Sequence, residues 1–165
     1  MLTLLYRANL VLPNRIRRGY VIVEDAHIRQ VGLGDGYPRL PYDRMIDVAG
    51  DYLAPGFVEL HSHGAGGADF MDGTLDAFAA ACHTHLCHGT TTLLPTALAA
   101  TREEILRSID CFGQAKSALA GKSLYLHGLH MEGPYLNKAQ CGAIDPNYIR
   151  NPEPEEYEML SLIHI

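Results

Sequence analysis

Short apolar segments that alternate with turn residues fill the first third of the chain. Runs rich in Leu, Val, Ile and Tyr are interrupted by Pro, Gly, Asp and Asn, a pattern typical of short strands joined by turns. The predicted strands span residues 2–6, 10–12, 20–23, 27–31 and 45–48, with a loose surface loop at 32–41. Residues 1–54 are therefore predicted to form a small β-rich lobe.

From residue 57 the hydrophobic period changes to a strand, helix, strand, helix, strand order. Apolar runs predict strands at 57–60, 91–95 and 124–130, and a period near 3.6 predicts helices at 74–88 and about 102–119. Gly89 is a stop signal for the first helix, and Thr101 with Glu104 has capping-box spacing at the start of the second. The predicted buried stripes are Leu75, Phe78, Ala79, Cys82 and Leu86 on the first helix, and Ile105, Leu106, Ile109 and Phe112 on the second.

This alternation indicates βα units on a parallel sheet, either an open doubly wound sheet or a barrel. His61, His63 and Glu132 each follow an apolar strand, at its carboxyl end. That end is where βα loops build active sites in the eight-fold barrel. The sequence therefore favours an α/β fold of the (β/α)8 TIM-barrel type, preceded by the small β lobe.

Composition and charge exclude several classes of function. The chain has 165 residues and a net charge of −6, which gives no general attraction for nucleic acid. No apolar run reaches the ~20 residues that a membrane span needs, and the first residues lack the order of a secretory signal. Its four cysteines have no CxxC spacing and are expected to be reduced. A cytoplasmic location is expected, without membrane or nucleic-acid partners.

The spacing of His61 and His63 suits a metal ion, because strand side chains two residues apart share a face. A bare His-x-His after a strand is by itself more often a solvated loop. The glycine-rich segment 64–67 directly behind it strengthens the metal interpretation, since glycine lets the backbone approach a ligand closely. On the same face but one step deeper in the strand, Glu59 is a candidate to support the ligands.

Glu132 shares a strand face with His130 and is followed by Gly133-Pro134, which ends the strand. Alone it would be an exposed strand-end acid, but beside two histidines it becomes a candidate ligand. Neutral imidazoles and a carboxylate suit Zn²⁺ or a similar divalent ion. His130 is then a candidate to orient Glu132. The histidines at 83, 85 and 88 lie on one predicted helix and are interpreted as solvated helix surface.

Three segments together resemble the N-acetylglucosamine-6-phosphate deacetylase family of the amidohydrolase superfamily. They are LAPGFVELHSHGAGGADFMD at 53–72, HGTTTLLPT at 88–96, and GLHMEGPYLN at 128–137 followed by Gly142-Ala143. The resemblance implies a (β/α)8 barrel, a small β-sandwich built from both chain ends, and metal-assisted release of acetate from a 6-phosphorylated amino sugar. It makes Glu132 the principal metal ligand, His61 and His63 ligands of a second position present in some members, and Gly142-Ala143 a substrate contact.

The resemblance also sets expectations about what lies outside this chain. A full barrel takes ~250 residues, whereas about 110 follow Pro55. Two further metal-binding histidines and the aspartate that acts as general acid and base are expected beyond residue 165, so no catalytic residue is assigned and the isolated chain is expected to be inactive. Residues 1–54 are assigned to the β-sandwich lobe and 55–159 to the first three βα units. Residues 160–165 resemble a translated transposon end and are expected to be non-native.

One departure from the family concerns Ile144, which stands where many members carry a histidine that approaches the sugar phosphate. Phosphate specificity is therefore a weaker expectation than deacetylation, and a homo-oligomer is expected for the complete protein on family grounds alone. Two alternatives stay open. One is another amidohydrolase, dihydroorotase-like or deaminase-like, that shares His61-x-His63. The other is a non-catalytic metal-binding module.

Overall fold

A computed structural model of the chain describes residues 1–121 and 124–160. The chain divides into two compact units, Met1–Pro55 and Gly56–Ile165. Of the segment predicted to be a non-native tail, residues 161–165 lie outside the described residues. Within the described ranges, no helix is long and apolar enough to cross a membrane.

The first unit is a five-stranded sheet. Its strands are β1 (Leu2–Leu12), β2 (Arg15–Glu24), β3 (His27–Leu33), β4 (Arg44–Asp47) and β5 (Tyr52–Leu53). The central strand β1 pairs antiparallel with β2 on one side and parallel with β4 and β5 on the other, and β3 pairs with the outer edge of β2. The β-rich character predicted for this segment is thus observed.

The two strands predicted at residues 2–6 and 10–12 are one strand, and that prediction was wrong. Both halves of β1 pair with β2, and the register shifts between Leu5 and Ala8. Arg7 lies within this irregularity with a positive φ of 58°. A bulge of this kind bends a strand without ending it, so a break in the hydrophobic pattern does not mark a turn here.

Both faces of this sheet are apolar. One face packs Leu4, Tyr20 and Ile22 beneath Tyr37 and Tyr42. The second half of the segment 32–41, which is predicted to be a loose loop, therefore covers this core. On the other strand face, side chains of Val11, Ile28, Val31 and their neighbours line a shallow apolar depression of about 260 Å³, and several of them are exposed.

The second unit is a parallel sheet with helices. Its elements are β6 (Phe57–Ser62), β7 (Gly64–Ala65), β8 (Ala68–Asp69), α1 (Leu75–Cys87), β9 (Thr90–Leu98), α2 (Arg102–Ala118), β10 (Tyr125–Leu126), β11 (His130–Glu132) and α3 (Pro154–Leu160). Strand β9 lies in the middle of the parallel sheet, with β6 on one side and both β10 and β11 on the other. The α/β class and the parallel pairing follow the prediction.

The helix termini lie where the sequence signals predict them. Thr74 caps α1 by accepting a hydrogen bond from the amide of Ala77, and Gly89 follows the helix with a φ of 92°. Thr101 and Glu104 form the reciprocal capping box at the start of α2. These local signals are reliable because each satisfies backbone groups that the first or last helical turn leaves unpaired.

The buried stripes of both helices match the predicted ones only in part. On α1 the buried residues are Ala77, Phe78, Ala81 and Cys82, whereas Leu75 and Ala79 are exposed. On α2 the predicted Ile105 is buried together with the smaller Ser108, Cys111 and Ala115, whereas the predicted Leu106, Ile109 and Phe112 are only half-buried. Small side chains let helix and sheet approach closely, which hydrophobicity alone does not reveal.

The third predicted strand, at 124–130, is split into two short strands. Leu126 pairs with Leu93 and His130 with Thr96, so four steps on one strand oppose three on β9. One extra residue must leave the ladder, and residues 127–129 carry that irregularity. The second of the two short strands, β11, begins at His130, where the predicted strand ends, and runs to Glu132.

Candidate metal centre

Strand order brings the predicted ligands to one edge of the parallel sheet. His61 lies near the carboxyl end of β6, His63 follows that strand directly, and Glu132 is the last residue of β11. Both strands pair with β9, one on each side. The three side chains therefore meet at the end of β9 from opposite directions.

The ligand atoms of these residues converge. The His61 Nε2 atom lies 3.3 Å from His63 Nε2 and 2.9 Å from Glu132 Oε2, and the His63 Nε2 atom lies 3.2 Å from the same oxygen. They form a group of metal-ligating type with all its ligand atoms within 4.8 Å of one another. A tetrahedral ion with bonds of about 2.0–2.1 Å places its ligand atoms about 3.3–3.4 Å apart, close to these separations.

The chemistry of the donor set fits a borderline divalent cation better than Mg²⁺ or Ca²⁺, which prefer all-oxygen sites. For both Nε2 atoms to face one cation they must be unprotonated, which puts the hydrogen on Nδ1. The Nδ1 atom of His63 is buried and has no hydrogen-bond partner within the described residues. The orientation of this ring is therefore set by its backbone and by the atoms that face Nε2.

The two predicted supporting residues both contact His61. The ring of His130 lies against the His61 ring with centroids 4.8 Å apart and an interplanar angle of 38°. The Oε1 atom of Glu59 accepts a hydrogen bond from the backbone amide of His61 at 3.1 Å. His130 was expected beside Glu132, and in the structure it packs on the histidine that faces Glu132.

A two-residue hairpin anchors the backbone of His63. Strands β7 and β8 pair antiparallel through Gly66 and Gly67, whose φ angles are 65° and 81°. Two consecutive positive φ angles are the requirement of the tight hairpin turn, and glycine meets it without strain. The amide of buried Phe70, just after the hairpin, donates to the His63 carbonyl at 2.8 Å. Gly66 and Gly67 thus build the tight turn that follows His63.

Glu132 is held by the geometry of the residue after it. Gly133 has a φ of 95°, and a Cβ atom there would lie 2.8 Å from the Cβ of Ala99. Only glycine meets both the backbone angle and the close contact with the residue that follows β9. The chain therefore turns away immediately after Glu132 and leaves its carboxylate at the strand end.

Gly142 and Ala143 lie outside the three-residue cluster. Both are exposed, in a turn after the short helical segment Lys138–Gln140, and Gly142 has a φ of 60°. Ile144 is buried with Ala99 and Ile149. The predicted contact of Gly142 and Ala143 with substrate stays a prediction.

The interpretation of His85 as solvated surface was wrong. Its ring is half-buried, and its Nε2 atom lies 2.9 Å from the hydroxyl of Ser62, the residue between the two predicted histidine ligands. The sequence signal was its spacing, because His85 is seven positions after Phe78 and three after Cys82, on the apolar face of α1. His83 and His88 are exposed, as expected.

An ion pair in the segment after β11 was also missed. Arg150 Nε donates to both carboxylate oxygens of Glu156, at 3.1 and 3.0 Å, and its Nη1 donates to the carbonyl of Ala100 at 3.0 Å. Tyr135 donates its hydroxyl to the same carboxylate. Hydrogen bonds from Arg150 hold the pKa of Glu156 below its usual range, and burial is the main cause that raises the pKa of Tyr135 to about 12.

Several known proteins similar in sequence to this chain are named as deacetylases of a 6-phosphorylated amino sugar. No family model matches the chain. It is 34% identical over 118 residues to N-acetylglucosamine-6-phosphate deacetylase of Haemophilus influenzae, an alignment that covers 71% of this chain and 30% of that protein. The chain thus spans about a third of the length of this relative.

Solved structures of the same enzyme match nearly the whole chain. The enzyme of Pasteurella multocida is 25% identical with a TM-score of 0.83, and the match covers 97% of this chain and 41% of that one. A variant of the Mycobacterium smegmatis enzyme, solved in complex with N-acetyl-D-glucosamine-6-phosphate, is 30% identical with a TM-score of 0.74 over 97% of this chain and 39% of that one. By sequence similarity and by fold, the chain belongs to the N-acetylglucosamine-6-phosphate deacetylase family.

Proposed function

We propose that the protein to which this chain belongs hydrolyses the acetamide of N-acetyl-D-glucosamine 6-phosphate to glucosamine 6-phosphate and acetate. The observation that carries the proposal is the convergence of His61 Nε2, His63 Nε2 and Glu132 Oε2 at a strand end. The names of the related enzymes, and the complex of one of them with this sugar phosphate, support the choice of substrate.

In the proposed centre, His61, His63 and Glu132 hold Zn²⁺ or a similar divalent ion, at one or two positions. When bound, such an ion polarises a carbonyl and lowers the pKa of a ligated water toward ~7. Glu59 holds the backbone of His61 and His130 packs on its ring, so these two residues orient one ligand. Proton transfer is assigned to an aspartate outside this chain, and no residue of the chain is proposed as general acid or base.

The substrate contact is proposed for the exposed turn at Gly142 and Ala143. A glycine with positive φ next to a small side chain leaves backbone polar groups accessible to a sugar. Ile144 packs into the apolar cluster behind this turn and offers no charge or hydrogen bond. Recognition of the phosphate is therefore proposed to come from groups other than residue 144.

Exposed apolar surfaces support the proposed architecture, a β-sandwich lobe and a (β/α)8 barrel that further polypeptide completes. The depression beside Val11, Ile28 and Val31 gives the first unit an uncovered sheet face. In the second unit, Phe57, Val58 and Leu60 of β6 are 68%, 60% and 61% exposed. Apolar surface of this kind is normally covered in a native protein. The cytoplasmic location and a homo-oligomeric state stay predictions.

The alternatives are less well supported. A dihydroorotase-like or deaminase-like amidohydrolase would share His61 and His63, but the deacetylases named above match this chain more closely than a D-hydantoinase structure, which is 20% identical with a TM-score of 0.53. Glu132 with Gly133-Pro134 is the feature that favours the deacetylase. A non-catalytic metal-binding module would use the same three ligands, and it differs from the proposal only in the absence of turnover.

Acetate release tests the proposal. The complete product of the reading frame that encodes this chain, called here the complete protein, is purified, loaded with Zn²⁺ and given N-acetyl-D-glucosamine 6-phosphate, with the unphosphorylated sugar and the galactosamine isomer as comparisons. We expect turnover of the 6-phosphorylated glucosamine derivative, and its loss in Glu132→Gln. A zinc-loaded protein that releases no acetate from any of these sugars would overturn the proposal.

A further inference from the structure

Ser62 lies between the two histidine ligands but points to the opposite side of β6, because strand side chains alternate. Its amide donates to the hydroxyl oxygen of buried Thr96 at 3.0 Å, which ties it to β9. Its own hydroxyl donates to the Gly64 carbonyl at 3.1 Å and lies 2.9 Å from His85 Nε2 on α1. One residue thus links the ligand segment to a strand, a turn and a helix.

Hydrogen counting fixes the role of His85 in this arrangement. A serine hydroxyl has one hydrogen, so both contacts of Ser62 are hydrogen bonds only when that hydrogen goes to the Gly64 carbonyl. The contact between Ser62 and His85 is then satisfied when His85 donates its Nε2 hydrogen to the hydroxyl oxygen. The imidazole acts as a fixed donor from α1 to the strand that carries the ligands.

The neighbouring residue of α1 contacts the same segment. A Cβ atom on Gly66 would lie 2.3 Å from the hydroxyl oxygen of Thr84, so the hairpin backbone passes directly over this helix position. That hydroxyl is itself fixed by donation to the Ala80 carbonyl at 2.9 Å. Thr84 and His85, consecutive residues of α1, therefore contact the chain on both sides of His63, at Gly66 and at Ser62.

From these contacts we infer that His85 and Ser62 are positioning residues for the metal centre. They fix the backbone between His61 and His63, so that the two Nε2 atoms face one point before a cation arrives. Rotation of the backbone at Ser62 would move both rings at once, since each ligand is one residue away. The inference rests on the metal centre of the proposed function and does not depend on the identity of the sugar.

Cobalt binding tests the inference, because Co²⁺ takes zinc sites and its visible spectrum reports ligand geometry. The metal-free complete protein is titrated with Co²⁺ alone, as the unchanged protein and as the variants His85→Leu, His85→Gln, Ser62→Ala and His83→Leu. The glutamine amide retains a donor near the Nε2 position. His83 is the matched control, since it is exposed on the same helix. Thermal melting of each metal-free variant is recorded in parallel.

We expect His85→Leu and Ser62→Ala to weaken Co²⁺ binding by about 10–100-fold and to change the visible spectrum. His85→Gln should recover most of the affinity, and His83→Leu should match the unchanged protein. Ser62→Ala removes only a hydroxyl, so it keeps the test valid if the leucine variant does not fold.

Two results would overturn the inference. One is unchanged affinity and spectrum in Ser62→Ala, or in a folded His85→Leu. The other is a lower melting temperature in His85→Leu that His85→Gln does not restore, together with an unchanged cobalt spectrum. That pattern would show that His85 contributes to helix packing alone. If the unchanged protein binds no Co²⁺, the proposed metal centre itself fails, and this failure is recognised before any substitution is compared.

Discussion

The Nε2 atom of His61 lies 2.9 Å from the Oε2 atom of Glu132, a residue 71 positions later in the chain. Neither residue reaches this position alone, because each depends on the pairing of its strand with β9. Together with His63, they form a cluster of metal-ligating side chains whose ligand atoms all lie within 4.8 Å of one another. The pairing of β6 and β11 with β9 therefore brings the residues of the candidate metal centre together.

The backbone after Glu132 should tolerate no side chain at Gly133. Gly133→Ala would adopt a φ of 95° and meet the Cβ of Ala99 at 2.8 Å. We expect a loss of about 1–3 kcal/mol in the free energy of unfolding of the complete protein, measured by urea denaturation. Gly113→Ala is the matched control, because that glycine lies inside α2 with open space around its Cβ position. It should stabilise by about 0.5–1 kcal/mol, and equal effects of the two changes would contradict the account.

Acid should weaken the Arg150–Glu156 pair. The folded pKa of Glu156 is lowered below its ordinary value of 4.5, first by hydrogen bonds from Arg150. A lowered folded pKa means that the stabilisation is complete above about pH 4.5 and is lost as the pH falls through the folded pKa. Glu156→Gln should therefore cost about 1–3 kcal/mol near neutral pH, and this cost should shrink steadily below pH ~4.5.

Urea unfolding of the complete protein at a series of pH values measures that difference. The control is Glu158→Gln, at an exposed position of the same helix α3. Its effect should be small at every pH. A cost for Glu156→Gln that does not change between neutral and acidic pH would show that the carboxylate charge does not stabilise the segment after β11.

The thiols of α1 should differ sharply in reactivity. Burial raises the pKa of Cys82 to about 11, whereas Cys87 is exposed at the end of the same helix. Because the thiolate is the reactive form, iodoacetamide near neutral pH should modify Cys87 and spare Cys82 in the folded protein. Mass spectrometry of the digested product identifies the sites. Rapid labelling of Cys82 without denaturant would show that α1 does not pack as described.

Local signals in the sequence predicted most of the framework. The capping residues Thr101 and Glu104 and the stop at Gly89 each satisfy a backbone requirement within a few residues, so their meaning does not depend on the rest of the fold. The two-residue spacing of His61 and His63 is equally local. Their meeting with Glu132 followed from one further assumption, that parallel strands end at the same edge of the sheet.

Features that depend on tertiary register escaped prediction. The split of the third strand arises because four steps from Leu126 to His130 oppose three on β9, and only the partner strand reveals that mismatch. His85 was missed because its polar side chain lies on an otherwise apolar helix face, and its partner Ser62 is 23 positions away. In both cases the deciding contact is with an element that local sequence does not identify.

Zinc binding by the complete protein and by its Glu132→Gln variant shows directly whether Glu132 helps to hold a metal ion. Competition with a chromophoric chelator gives the affinity, and X-ray absorption at the zinc edge gives the ligands. We expect tight binding through imidazole nitrogen and carboxylate oxygen, weakened by at least about 10-fold when Glu132 becomes a neutral amide. Glu158→Gln should leave the affinity unchanged. Zinc binding that is absent in the unchanged protein, or equally tight without the Glu132 carboxylate, would contradict the account.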